Sequence, residues 1–156
     1  MAKGSSGLAR TIAVVRILTA VFFLFFGQYK VFRPGFAHGG FQQYLEGFIQ
    51  TGSIDLYKGF LHGVVLPHAV FFGYLVGVVE LLIGLSLLIG LWVRPFSVVG
   101  ALHMISLTAA TWWEPGRDAP LWRYFGAELD HLPLLFLFVI FFVAHAGETW
   151  GLDGGR

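Results

Sequence analysis

The stretch GYLVGVVELLIGLSLLIGLW, Gly73 to Trp92, decides the fold. It has the length of a bilayer crossing, roughly 20 apolar residues. Inside lipid only a helix satisfies every backbone group over such a run. One carboxylate, Glu80, interrupts it. An acid at the centre of a membrane helix costs roughly 2.5 to 3.5 kcal/mol on insertion scales, so Glu80 must face protein or a polar cavity. Gly73, Gly77, Glu80 and Gly84 are spaced four, three and four residues apart and share one helix face. Gly73 and Gly77 form a GxxxG, and the three glycines are candidates for close helix packing along the seam into which Glu80 points.

Working outward, three more apolar runs accompany this one. The predicted spans are about 8–27, 68–92, 95–113 and 131–146, each near the length that crosses a bilayer, the last one short. The fold class is therefore all-α, an integral membrane four-helix bundle occupying residues 1–156 as a single domain. Only Val93 and Arg94 separate the second and third spans, and Pro95 suits a helix start, so these two helices are antiparallel neighbours. The outer connection, 36–66, is amphipathic. Phe41, Tyr44, Leu45 and Phe48, then Leu56, Tyr57, Phe60, Leu61 and Val64, recur at helical spacing. Extra interfacial or partly re-entrant helices are expected there, anchored on the headgroups, with Pro67 turning the chain into the second span.

Composition agrees with a lipid-embedded chain: 56% hydrophobic residues and 12% charged, with a mean hydropathy of +0.74. A net charge of +1 gives no footprint for nucleic acid. With no cysteine, disulfides, thiolate metal sites and thiol catalysis are excluded. The basic start MAKGSSGLAR followed by an apolar run has the look of a signal peptide, but Arg16 interrupts the run and no small-x-small cleavage site follows, so a retained first helix is expected. Lys and Arg are denser in the short loops on the side of the N-terminus, which places both termini in the cytoplasm. Trp112 and Trp113 mark a membrane boundary before the net acidic connection Glu114–Asp130.

A cation is available for Glu80. Arg16, Ala20, Phe23 and Gly27 form an inward stripe on the first helix, with Lys30 one turn further, and His103 shares a face with Gly100, Ser106 and Ala110. If the first span starts near Leu8, then Arg16, Glu80 and His103 lie on the order of 12 to 18 Å above the inner boundary. Arg16, with or without His103, is then expected to meet Glu80 inside the bundle. Such a pair serves either as a register device or as a pocket for the head of a quinone or similar lipophilic ligand; proton relay is a third use. Haem is not favoured, because His68 and His131 match in depth only at the outer boundary and no HxxxH or HExxH occurs. A metal held by His62, His68, Glu128, Asp130 and His131 is likewise not favoured over simple solvation, and His145 reads as a boundary residue.

Arg16, Gly27-x-x-Lys30, the run GVVELLIGLSLLIGLWVRP around Glu80, Gly84 and Arg94, and the closing AGETWGLD ending at Asp153 together resemble the DoxX/DoxD family of small four-helix membrane proteins. The long segment 36–67 fits a DoxD-like member as well as a DoxX-like one. This resemblance implies a multi-pass protein of the prokaryotic cytoplasmic membrane. It also implies a small subunit of a quinol oxidase or a thiosulfate:quinone oxidoreductase, at most one part of a quinone-dependent enzyme. Partners would be other membrane-bound redox subunits, with quinone as the ligand, no covalent cofactor, and a homo-oligomer as a further arrangement. Arg16, Lys30, Glu80 and Arg94 match recurrent family positions without an assigned role. The alternative is a non-catalytic anchor or assembly factor for another membrane protein; a small proton-coupled transporter is a weaker third reading, since no inverted repeat is evident.

Overall fold

The computed structural model describes residues 3–112 and 131–155, and no strand occurs among them. In chain order the α-helices are α1 (Lys3–Phe32), α2 (Phe41–Thr51), α3 (Asp55–Phe60), α4 (Ala69–Ile89), α5 (Val93–Ala110) and α6 (His131–Val143). Gly7–Phe32, Asp55–Ile89 and Val93–Ala110 are long and apolar enough to cross a membrane, and α6 is a shorter apolar helix. The chain is a multi-pass membrane bundle. Trp113, Glu114–Asp130 and the acids Glu128 and Asp130 lie outside the described residues.

The ends of these helices follow from local chemistry. Gly90, at φ +68°, stops α4 in the left-handed region that a glycine enters without strain. Two residues later Trp92 is also left-handed, at φ +56°, and the chain re-enters a helix at Val93. The backbone amides of Trp92 and Val93 donate to the two carboxylate oxygens of Asp153, at 2.8 and 2.9 Å, so a residue from the far end of the chain caps α5. Pro67 does not turn the chain. It sits in a 3₁₀ turn, Leu66–His68, preceded by a π turn, Leu61–Val65, and these absorb its missing amide so that α3 runs on into α4.

α1 lies against α4 along their glycines. A methyl group added at Gly27 would stand 2.8 Å from the backbone nitrogen of Leu81, and one at Gly84 would stand 2.8 Å from Leu24. Gly77 meets Lys30 and Val31, and Gly73 meets Ala37. Beneath that seam the core is apolar and partly aromatic: Phe23, Ile83, Leu87, Met104, Phe138 and Phe141 are buried together. Phe23 meets Phe138 edge-on, with ring centroids 5.3 Å apart. The opposite side of α1, including Leu18, Phe22, Phe25 and Phe26, is exposed, as befits a face turned to lipid.

The outer segment docks on the bundle rather than resting on the headgroups alone. Leu45 of α2, Leu61 and Val65 form a second buried cluster with Ala69 and Ala110. Ser53, left-handed at φ +74°, donates its hydroxyl to the Ala110 carbonyl at 2.7 Å, and the Ile54 amide donates to Ala109. Tyr57 and Ser106 join α3 to α5 by a hydroxyl–hydroxyl hydrogen bond. The last carbonyls of α5, which no helical amide reaches, are thus satisfied by this segment.

Candidate functional site

Side chains of α-helices lean toward their own N-termini. α1 and α4 are antiparallel, so Lys30 leans back along α1 while Glu80 leans up α4 toward it, and Gly77 leaves room for the lysine stem. The ammonium Nζ of Lys30 donates to Glu80 Oε1 at 2.5 Å. His103 lies on α5 ten residues past its start, Glu80 ten residues before Gly90, and its Nε2 is 3.2 Å from the same Oε1. The second oxygen, Oε2, is buried with no hydrogen-bond partner among the described residues.

Burial grades across the three side chains: Glu80 is 5% exposed, His103 11% and Lys30 19%. Lysine is the member nearest the surroundings. A π turn, Phe36–Gly40, follows α1 and sets the Phe36 ring 5.6 Å from the Lys30 ammonium, an aromatic face under a cation. Lys30 and His103 thus both lie against the one carboxylate, the kind of mutual pairing by which ionisable groups persist at membrane depth.

Arg16 is not part of this cluster. It lies fourteen residues before Lys30 on one helix, about 21 Å along the axis. Its guanidinium is fully buried at the end of the bundle that carries both termini, where Nη2 donates to the carbonyl of Trp150 at 2.9 Å and of Thr149 at 3.5 Å. Its Nε and Nη1 have no partner among the described residues. The expected Arg16–Glu80 pair is therefore corrected to Lys30–Glu80. The physical reason is helix length: α1 continues to Phe32, five residues beyond the predicted end of the span, which carries Lys30 to the depth of Gly77 and leaves Arg16 level with the α4–α5 turn. Lys30 was legible as the next residue of the Arg16, Ala20, Phe23, Gly27 stripe.

The remaining recurrent positions divide between packing and the termini end. Gly27, Gly73, Gly77 and Gly84 serve the close approach to α4. Asp153 caps α5, and Arg94 stacks 4.6 Å over the Phe142 ring. Among the described residues no group of three or more His, Asp or Glu is placed to hold a metal ion.

The family model described as DoxX matches residues 11–113, about two thirds of the chain and all of the Lys30, Glu80 and His103 positions. The chain belongs to the DoxX family. No curated protein and no solved structure matches it. In this DoxX-family chain the matched residues contain both the glycine seam and the polar triad; Asp153 and α6 fall beyond them.

Proposed function

We propose that this DoxX-family protein is a membrane subunit of a quinone-linked redox complex, of the quinol oxidase or thiosulfate:quinone oxidoreductase type, and that Lys30, Glu80 and His103 hold the quinone head group. The observation carrying this reading is Glu80 Oε2, a carboxylate oxygen buried inside the bundle without a donor among the described residues. Such an oxygen is costly to bury unless something donates to it, and a quinol hydroxyl is a lipid-soluble donor. Lys30, with two further N–H groups and the greatest exposure of the three, offers the matching donor to a quinone carbonyl.

A bound quinone would supply the two-electron redox chemistry; this chain supplies a hydrogen-bonding cradle and a place to hold a proton. Glu80 Oε2 can accept a proton while Lys30 stays fixed on Oε1, where His103 Nε2 also lies at 3.2 Å and steadies the carboxylate. Having no cysteine, the chain contributes no thiol and no thiolate-held cluster of its own to that chemistry. We place it in a prokaryotic cytoplasmic membrane with both termini inside, on the density of Lys and Arg near the termini.

The test is purification from the native membrane in mild detergent, with mass spectrometry of copurifying proteins and extracted quinones, for wild type and Glu80→Gln. Copurification of an oxidase or dehydrogenase with near-stoichiometric quinone, and a variant that assembles normally but turns over slowly, supports the proposal. A variant that loses abundance and assembly, with no quinone in either preparation, overturns it and favours an anchor or assembly factor in which the buried pair fixes helix register.

A further inference from the structure

At the termini end of the bundle a cleft of about 230 Å³ opens between the first turn of α5 and the chain that follows α6. Arg94 and Glu148 both line it, yet no ion pair joins them. Each is placed by something else. The Arg94 guanidinium rests on Phe142, which occupies its face and leaves its edge N–H groups available. Glu148 spends one oxygen on His145 Nδ1 at 3.3 Å, and its side chain is 61% exposed. The third charged lining residue, Asp153, has both oxygens committed to the Trp92 and Val93 amides. What the cleft offers a ligand is therefore one guanidinium and one carboxylate, held apart on different elements.

The surroundings indicate where that ligand comes from. Trp92 lines the cleft and is 53% exposed, and Trp150 on the same end is 60% exposed. Exposed tryptophans at the end of a membrane bundle mark the headgroup level of the bilayer. We infer that this cleft is a headgroup site for a zwitterionic aminophospholipid, with the phosphate on Arg94 and the primary ammonium on Glu148. Phosphatidylglycerol would satisfy Arg94 through its phosphate but bring an uncharged glycerol, with no cation, to Glu148. A choline headgroup carries the right charge but has no N–H to donate to a carboxylate.

The site is independent of the Lys30–Glu80–His103 cluster and of the quinone proposal. It is tested on the full chain by native mass spectrometry in detergent titrated with phosphatidylethanolamine, phosphatidylglycerol or phosphatidylcholine. Wild type should retain phosphatidylethanolamine over both others by roughly tenfold, the scale of one charge-assisted hydrogen bond. Arg94→Gln should lose retention of all three. Because Arg94 also packs on Phe142, the deciding variant is the exposed Glu148→Gln, which should abolish the preference over phosphatidylglycerol and leave overall retention in place. Equal retention of the three lipids by wild type, or an unchanged preference in Glu148→Gln, overturns the inference.

Discussion

Replacing Lys30 by methionine removes the cation from a carboxylate that is 5% exposed and keeps the aliphatic volume that Gly77 accommodates. Removing one partner from a buried ion pair typically costs 3 to 5 kcal/mol. One feature of the site reduces this: His103 remains 3.2 Å from Oε1. We expect Lys30→Met to lose about 2 to 4 kcal/mol. Glu80→Gln should lose less, about 1 to 2 kcal/mol, because the lysine can extend its ammonium toward the lipid surface. The double variant Lys30→Met/Glu80→Met leaves only His103 of the three and should be more stable than Lys30→Met alone, a coupling of about 1 to 3 kcal/mol. The assay is reversible unfolding in mixed micelles at rising SDS fraction, followed by far-UV circular dichroism. Additive losses, or a Lys30→Met variant within about 0.5 kcal/mol of wild type, would refute the buried pair.

Gly27→Ala places a methyl group against the backbone nitrogen of Leu81 and the carbonyl oxygen of Gly77, neither of which can rotate away; a loss of about 1 to 3 kcal/mol in the same unfolding assay is expected. Asp153→Ala removes both side-chain acceptors at the start of α5 and should cost about 1 to 2 kcal/mol, with Asp153→Asn recovering part of it. Arg16→Met severs the tie to the Thr149 and Trp150 carbonyls, so limited proteolysis should cut within 144–155 faster than in wild type, while bound quinone per protein stays unchanged. If quinone falls with Arg16→Met, the assignment of Arg16 to the termini end alone is wrong.

Much of the bundle was legible because membrane constraints act on residue type over long windows. Twenty apolar residues ending in a glycine that can turn left-handed specify α4 almost without context, and the in-phase glycines around Glu80 specify the side on which α1 packs. The site was less legible because it depends on where each helix stops. Nothing in GQYKVF forbids the helix from continuing past Gly27, and no proline occurs until Pro34. An error of five residues there moves a side chain by about 7 Å along the axis. The docking of 36–66 was illegible for a different reason. It rests on Ser53 in a left-handed conformation and on hydroxyl contacts to the end of α5, which leave no periodic signature.

The exchange of Lys30 for Arg16 changes how the site can be reached. With Arg16 as partner, a polar path would have run from Glu80 to the end of the bundle that carries the termini. Instead Ala20 and Phe23 occupy the α1 stripe between the two cations, backed by Ile83, Leu87, Phe138 and Phe141, all buried. About 21 Å of α1 therefore separates the two cations through a packed apolar interior, with no hydrogen-bonded chain linking them among the described residues. The guanidinium is left to hold the C-terminal chain, and under the proposed quinone role the triad would be reached through its more exposed side, where Lys30 lies beside Phe36. A lipophilic ligand arriving laterally from the bilayer would meet that requirement, whereas a water-borne substrate entering from the termini side would have to cross the aromatic core.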